Sequence, residues 1–263
     1  MTDQPSQHPA FPQPDDLTTP LWRYMELWKF EWLTSASRLY MPRADTVATA
    51  CDLFEGTTPE GEHAWWQQLA DNAETAEQRA TIEHNRSLLS RFAAAFATRH
   101  YLSCWYLSAY ENAAMWERYG RTAEAVAIQT TYSMLRASLP SHVELGLVRY
   151  IDYSTARLPS LNLFECIMHK RIEYIDEREV RAVATDLLPD AMGGAAFREH
   201  HFEQEASPHA WVYAPPVDLQ SLIHSVVLPP NASSEVAARV AGICEAANLP
   251  RPSTSSMTRR PRF

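Results

Sequence analysis

Hydrophobic and polar positions along this chain follow two periods, and the change between them predicts both strands and helices. Alternation, or a short run of aromatic and apolar residues, predicts a strand, whereas apolar residues recurring every three or four positions predict a helix. The predicted strands are residues 21–25, 39–42, 101–108, 125–131, 144–152, 177–187, 210–214 and 222–227. The predicted helices are one carrying Trp28 and Trp32, two within residues 62–98 that meet in the polar stretch 71–78, and residues 132–137, 161–170 and 233–247.

The stretch from Tyr101 to Tyr119 is the centre of this pattern, because a predicted strand there passes directly into a predicted helix. Ser108 and Glu111 are three residues apart, which predicts a capping box at the helix start. Gly120 predicts a left-handed helix end. A capped helix start also favours negative charge, so a ligand with a phosphate group is one hypothesis for this joint, although most such helix starts bind nothing.

Strands and helices are mixed without a regular alternation, and no internal repeat is visible,. We therefore predict a single α+β domain over residues 21–250, with a mixed or antiparallel sheet flanked by helices. Residues 1–20 are polar and rich in proline, and residues 251–263 carry four arginines and no acid. These compositions predict a disordered lead and a disordered basic tail. The stretch around Gly193–Gly194 is predicted to be a loop.

Composition and charge place the chain among ordinary globular proteins. It has 263 residues, of which 46% are hydrophobic and 21% charged, and its formal net charge is −9,. The arginine-rich tail leaves the rest of the chain more acidic than this total. An acidic body argues against broad non-specific binding to nucleic acid, so charge does not indicate that partner, although a local basic groove stays compatible with it.

Several classes of site are excluded or disfavoured by the motifs present. The four cysteines are widely separated and form no CxxC pair, which predicts reduced thiols and a cytoplasmic protein,. No apolar run approaches about 18 residues, so no membrane span is predicted. The first residues lack the basic-then-apolar order of a secretion signal, so none is predicted. His200 and His201 lack a partner at metal-binding spacing, so no metal is predicted. The chain has seven glycines and no common phosphate-binding loop motif,.

The segment EREVR carries the most informative charged residues. On a strand, Glu177, Glu179 and Arg181 point to one face, where two carboxylates repel each other unless a cation lies between them. Arg181 or a substrate could be that cation. One hypothesis is a carboxylate pair that stabilises positive charge developing on a sugar or orients a nucleophile. The alternative is a solvent-facing ladder of charges between strands.

Further candidate residues lie on the first and central strands. Arg23, beside Tyr24, could bind a phosphate or carboxylate as a bidentate fork, or could be a surface cation paired with an acid. Ser103 and Cys104 place a hydroxyl and a thiol near the central joint, before Trp105. Cys104 as a nucleophile would need His100 as its base.

Several segments, taken in order, resemble one family, the bacterial domain of unknown function 2971. They are LWRYM, the DLFEG turn, SCW followed by ENAAMWERYG, AVAIQTT, and KR with YIDEREVR, together covering roughly residues 21–184. The resemblance implies a shared fold more than an activity, because members of that family are mostly uncharacterised.

A second resemblance is to ADP-ribosyltransferases, which bind NAD in a cleft between two sheets. Those enzymes use an Arg or His on an early strand, a Ser or Tyr motif on a middle strand, and a Glu, often within Glu-x-Glu, near a later strand. Arg23, Ser103 and the Glu177-Arg178-Glu179 segment are similar to these three elements. The resemblance implies that Glu179 is catalytic, binding the nicotinamide ribose, and that Glu177 handles the acceptor. Cys104-Trp105 replaces the usual Thr-Ser.

Two hypotheses for function follow. The first is an NAD-dependent ADP-ribosyltransferase-like enzyme with an unspecified acceptor, in which Glu179 and Glu177 are catalytic. The residues expected to bind the cofactor are Arg23, Tyr24, Ser103, Trp105 and Arg181. The second is a non-enzymatic binding module in a toxin–antitoxin or phage-defence system, suggested by the eight tryptophans. Those tryptophans could equally be core residues.

Overall fold

Strand β1 lies in the middle of a seven-stranded sheet with the order β12-β11-β4-β1-β3-β8-β5. The computed structural model describes residues 8–120, 124–186, 202–204 and 211–258. Its strands are β1 (Pro20–Glu26), β2 (Met41–Pro42), β3 (His100–Leu107), β4 (Ala125–Thr131), β5 (Glu144–Leu147), β6 (Arg149–Ile151), β7 (His169–Arg171), β8 (Glu179–Thr185), β9 (Phe202–Gln204), β10 (Trp211–Tyr213), β11 (Ser225–Leu228) and β12 (Ser253–Thr254).

Neighbouring strands of this sheet are antiparallel except β11 and β12, which are parallel, so the sheet is mixed. The predicted α+β class, with one domain built on a mixed sheet flanked by helices, is confirmed. Most residues of β3, β4 and β8 are buried on both faces of the sheet. This burial explains why these strands are continuous apolar runs in the sequence instead of clean alternations.

Helices flank this sheet. They are α1 (Leu27–Ala36), α2 (Ala44–Cys51), α3 (Glu60–Asp71), α4 (Ala76–Ala97), α5 (Ala113–Tyr119), α6 (Tyr132–Ser138), α7 (Glu165–Met168), α8 (Leu219–Leu222) and α9 (Ser234–Ala246). The predicted break within residues 62–98 is confirmed. Thr75 caps α4 by accepting from the Gln78 amide, and the Gln78 side chain accepts from the Thr75 amide,.

Short elements replace some of the longer predicted ones. Residues 144–152, predicted as one strand, form β5 and β6, and β6 pairs in parallel with β7 in a separate two-stranded sheet. The predicted helix over residues 161–170 is wrong in extent, because only α7 is helical and β7 follows it directly. β2, β10 and β9 form a third sheet. Gly193–Gly194, His200 and His201 lie outside the described residues.

The joint after β3 is capped differently from the prediction. The Asn112 side chain caps α5 by accepting from the Ala114 amide. Ser108 instead accepts from the amide of Tyr110, and the Glu111 carboxylate accepts from Ser255 near the chain end. Gly120 has a φ of −103°, so the helix does not end in the left-handed region. The predicted capping box is therefore wrong, because Glu111 binds a distant segment.

The structure describes part of each segment that is predicted to be disordered, and both described parts belong to the folded domain. Phe11 is fully buried, and a Cβ on Gly146 of β5 would lie 2.5 Å from the Phe11 Cα, so the two backbones are in close contact. Near the other end, β12 pairs with β11, and Ser255 is buried. Within residues 8–20 and 251–258, the prediction of a disordered lead and tail is therefore wrong.

No helix in the described ranges combines the length and the apolar character that crossing a bilayer would require.

The burial of Phe11 generates a prediction about stability. Phe11→Ala should lower the free energy of unfolding by about 3–5 kcal/mol, since it removes a buried ring and leaves a cavity. Leu17→Ala is the matched control, because Leu17 is 37% exposed. Chemical denaturation measures both variants. Equal, small effects would show that residues 8–20 add nothing to the fold.

Candidate functional site

A cavity of about 430 Å³ opens beside β1, β3 and β8, and we call it the central cavity. Arg23, Tyr24, Trp105 and Arg181 line it, as do Glu177 and Glu179. Further aromatic side chains complete its walls, namely Trp22, Trp28, Tyr40, Tyr106 and Tyr119. The cavity therefore combines an aromatic wall with charged groups from β1, β7, β8 and the segment before β8.

Arg23 is held on the cavity wall by neutral partners. Its Nη1 donates to Ser103 Oγ at 2.9 Å, and its Nη2 donates to the Tyr40 carbonyl at 2.9 Å. Trp105 lies 5.7 Å from the guanidinium, and its Nε1 also donates to Ser103 Oγ. Burial lowers the pKa of Arg23 to about 10, which leaves it charged at neutral pH. No ion pair joins it to a carboxylate of the described residues, so its charge is available to an anion.

Arg181 is the most deeply buried charged residue near the cavity. It is fully buried, and its Nε and Nη2 donate to the two oxygens of Glu179 at 2.6 and 2.9 Å. Its Nη1 donates to the Ile167 carbonyl, and its Nη2 also contacts Glu55. A bidentate pair of this kind fixes the orientation of the Glu179 carboxylate.

Glu179 and Glu55 have pKa values that are shifted in opposite directions. Burial opposes the ionisation of Glu179, but the charges of Arg181 and Lys170 outweigh it and lower the pKa of Glu179 to about 2. Burial raises the pKa of Glu55 in spite of the same two cations. Glu55 forms ion pairs with Arg181 and Lys170, although neither of its oxygens meets hydrogen-bond geometry with the described residues. Two acids with separated pKa values in one site suit different steps of acid–base chemistry.

Lys170 joins the three acids into one network. Its Nζ donates to Glu177 at 2.5 Å and lies 3.6 Å from Glu179 and 3.8 Å from Glu55. Burial would lower the pKa of Lys170, but these carboxylates raise it above its ordinary value. Lys170 is therefore a fixed cation, and its position places the three carboxylates around one point.

Glu177 is also bound from the side of α5. Arg118 Nη1 donates to its Oε1 at 2.6 Å, and the Tyr119 hydroxyl donates to the same atom at 3.1 Å. Arg118 is partly exposed, and it also lies 3.6 Å from Asp176. α5, the helix that follows the joint after β3, thus contributes to the site. It does so through Arg118 and not through the N-terminus of the helix.

The sequence argument for Glu177 and Glu179 is wrong in its geometry. Glu177 is the last residue of a 3₁₀ helix, Ile172–Glu177, and only Glu179 lies on β8. Between them Arg178 has a φ of 38°, in the left-handed region, so the two acids do not follow one another along an extended strand. The solvent-facing charge ladder is excluded, because Glu177 and Glu179 are 3% and 5% exposed. The two acids meet through Lys170 and not through a shared strand face.

The other predicted residues lie as follows. Ser103 is buried behind Arg23 and orients it, since it accepts from both Arg23 and Trp105. Tyr24 lines the cavity, and its hydroxyl accepts from the amide of Asn112 at the start of α5. Burial raises the pKa of the Cys104 thiol well above its usual value, so a thiolate nucleophile at this position is disfavoured,.

Three site residues were not predicted, namely Glu55, Lys170 and Arg118. Glu55 belongs to the DLFEG turn, which the sequence indicates only as a chain reversal. Asp52 holds that turn by accepting from Arg171 at 2.9 and 3.1 Å. The partners of Glu55 lie far away in sequence, so no local pattern identifies it. An acid flanked by Phe54 and Gly56 in an apolar turn is the only signal that the sequence offers.

No protein-family model matches this sequence, and neither the curated proteins nor the solved structures compared with it give a match. Both family resemblances therefore stay predictions. Within the part of the chain that the structure describes, no group of three or more His, Cys, Asp or Glu residues is arranged to hold a metal ion.

The opposite pKa shifts of Glu179 and Glu55 predict how stability depends on pH. The folded pKa of Glu179 is about 2 against an ordinary value of 4.5, so its contribution is complete above about pH 4.5 and is lost as the pH falls towards 2,. This contribution is about 3 kcal/mol. The raised pKa of Glu55 gives stability the opposite pH dependence. Its contribution is complete below about pH 4.5 and is lost as the pH rises through its folded pKa,.

Denaturant unfolding at a series of pH values checks this prediction. Glu179→Gln should reduce the loss of unfolding free energy that occurs as the pH falls. Glu55→Gln should reduce the loss that occurs as the pH rises. Glu31→Gln is the control, because Glu31 pairs with Arg239 on the surface. An acid slope that is unchanged in Glu179→Gln would contradict the assignment.

Proposed function

We propose that the central cavity binds NAD and that the protein is an ADP-ribosyltransferase-like enzyme of the cytoplasm. The observation that carries the proposal is the convergence of Arg23, Ser103 and Glu179. They lie on β1, β3 and β8, which are neighbours in the sheet. Arg23 and Glu179 line one cavity, and Ser103 is hydrogen-bonded to Arg23. This is the set of residues that the resemblance to ADP-ribosyltransferases implies.

Arg23 supports the binding of a diphosphate. It carries a charge at neutral pH, faces the cavity and lacks a carboxylate partner among the described residues, so an anionic ligand would complete its interactions. A guanidinium can donate to two phosphate oxygens at once, which suits it to this role. Lys29 also lines this cavity, but its ammonium lies 3.4 Å from Glu26, so Arg23 is the cation that the proposal relies on.

The walls support the binding of flat rings. A volume of about 430 Å³ is within the range of small-molecule sites,. Trp28 lines the cavity and is 50% exposed, so it presents an aromatic surface against which a nicotinamide or adenine ring can stack,. A single cavity thus offers surfaces for both kinds of group that a dinucleotide contains.

Glu179 supports the chemistry of glycosyl transfer. In that reaction the bond between nicotinamide and ribose breaks, its electron pair leaves with nicotinamide, and positive charge develops on the ribose. Glu179 is held as an anion by Arg181 and Lys170, so its charge is preorganised to stabilise a neighbouring cation,. Glu177 accepts the proton of the incoming nucleophile, and Lys170 and Arg118 hold its carboxylate in place.

The alternative, a non-enzymatic binding module, loses much of its support from the tryptophans. Trp22, Trp66, Trp105 and Trp116 are buried, so they contribute to the core or to cavity walls rather than to an open surface. Among the described tryptophans, Trp28 is half exposed, at 50%.

Calorimetric titration with NAD tests the proposal. The wild type should bind NAD, and Arg23→Met should weaken binding about 10- to 100-fold, because a charged hydrogen-bonding partner of the diphosphate is removed. Arg239→Met is the matched control, since Arg239 is exposed and lies outside the cavity lining. No heat with millimolar NAD and folded wild-type protein would reject the enzyme and leave the binding module.

Release of nicotinamide tests the catalytic role of Glu179. Glu179→Gln should still bind NAD but should release nicotinamide about 100- to 1,000-fold more slowly, because the stabilising charge is absent in the transition state. Circular dichroism establishes that this variant is folded. An unchanged rate of release in folded Glu179→Gln would assign the chemistry to another residue.

A further inference from the structure

A second cavity, of about 370 Å³, lies between α3, α4 and residues 158–166, and we call it the α3–α4 cleft. Its residues are distinct from those that line the central cavity. Most of the wall is apolar, and its larger side chains are Trp66, Leu89, Phe92, Phe96, Leu161 and Leu163. α4, which the structure describes along its whole length, has no buried residue. Its apolar face therefore borders a space that is open to a ligand.

Glu62 lines this cleft with an acceptor that has no partner. The residue is 5% exposed, and its Oε2 accepts from the Leu158 amide and lies 3.6 Å from Arg157 Nε. Its Oε1 accepts no hydrogen bond from the described residues. A buried carboxylate oxygen without a donor is unfavourable, so a donor from a ligand would stabilise it.

The position of Glu62 is fixed by the residue before it. The Gly61 amide donates to the Tyr153 carbonyl at 3.1 Å, and a Cβ on Gly61 would lie 2.4 Å from the Ala156 carbonyl oxygen. Only glycine allows the start of α3 to approach the turn around residue 155 so closely. The backbone before Glu62 is consequently fixed, and Glu62 lines the cleft from the start of α3.

The other polar groups of the cleft have hydrogen-bond partners or are neutral, except that Arg86 is a cation whose partner, Gln67, is neutral. Arg86 donates to Gln67 at 2.9 Å, and His63 is hydrogen-bonded to Thr58. Burial raises the pKa of the Cys166 thiol to about 12, so the thiol is neutral at physiological pH. Among the described lining residues, Glu62 is the group with a buried acceptor that lacks a donor.

We propose that the α3–α4 cleft binds a small apolar amine, with the ammonium group on Glu62 Oε1 and the apolar body against the aromatic wall. An ammonium group donates to a carboxylate in a charge-assisted hydrogen bond, and its charge is attracted to the faces of aromatic rings such as those of Trp66 and Phe96. The site is independent of the proposed NAD cavity, so either proposal can fail alone.

Phenethylamine is the probe, and 3-phenylpropionate is its comparison, because the two share an apolar body but carry opposite charges. Calorimetry and ligand-observed saturation transfer should detect binding of phenethylamine to the wild type and much weaker binding of 3-phenylpropionate. Glu62→Gln should weaken phenethylamine binding about 10- to 100-fold. Glu60→Gln is the matched control, since Glu60 is exposed in the same helical turn, and its affinity should equal that of the wild type.

A second variant covers the case in which Glu62→Gln fails to fold. Ala93 lines the cleft from α4, so Ala93→Trp should fill the cavity and remove binding of phenethylamine while NAD titrations stay unchanged. Three results would each overturn the proposal. They are no binding of phenethylamine to the wild type, equal affinity for 3-phenylpropionate, and unchanged affinity in folded Glu62→Gln.

Discussion

The burial of Arg181 is the constraint on which the rest of the structure depends. A guanidinium removed from water on an interior strand such as β8 is unfavourable unless its charge and its hydrogen-bond donors are matched. Glu179 supplies the bidentate partner, Glu55 supplies a second carboxylate, and the Ile167 carbonyl accepts from Nη1. These partners come from β8 itself, from the turn before α3 and from α7, so one buried cation positions three separate parts of the chain.

The same network determines what the central cavity can do. Buried ion pairs contribute little net stability compared with well-packed apolar residues, so the network is better explained as a means of setting electrostatics. Arg181 and Lys170 keep Glu179 ionised, whereas burial favours the protonated form of Glu55. Arg23 lies outside the network, on neutral partners. The central cavity therefore contains a fixed anion, Glu179, and a cation without a carboxylate partner among the described residues, Arg23.

Hydrophobic periodicity predicted the helices and strands that pack through a long apolar face. It failed for residues whose contacts are single polar groups far away in the sequence. β1, β3, β4, α3 and α4 each bury or border long apolar stretches, so their sequence patterns are long enough to recognise. Residues 161–177 instead contain α7, β7 and a 3₁₀ helix, one directly after another. Each of these elements is too short for a hydrophobic period to be recognised in the sequence. Glu177 was misplaced for this reason, since the left-handed Arg178 leaves no periodic signal. Glu55 was missed because Arg181 is far away in sequence.

The segment around α7 borders both cavities, which gives the two proposed sites a common wall. Leu163 and Cys166 line the α3–α4 cleft, the Ile167 carbonyl accepts from Arg181, and Lys170 lies among the acids of the central cavity. A shift of this segment would move groups on both sides at once. Proximity alone does not establish energetic coupling, which requires an element with two arrangements that each ligand favours differently. Such an element would have to lie in α7 and β7, which are held by the burial of Ile167 and Met168 and by the pairing of β7 with β6.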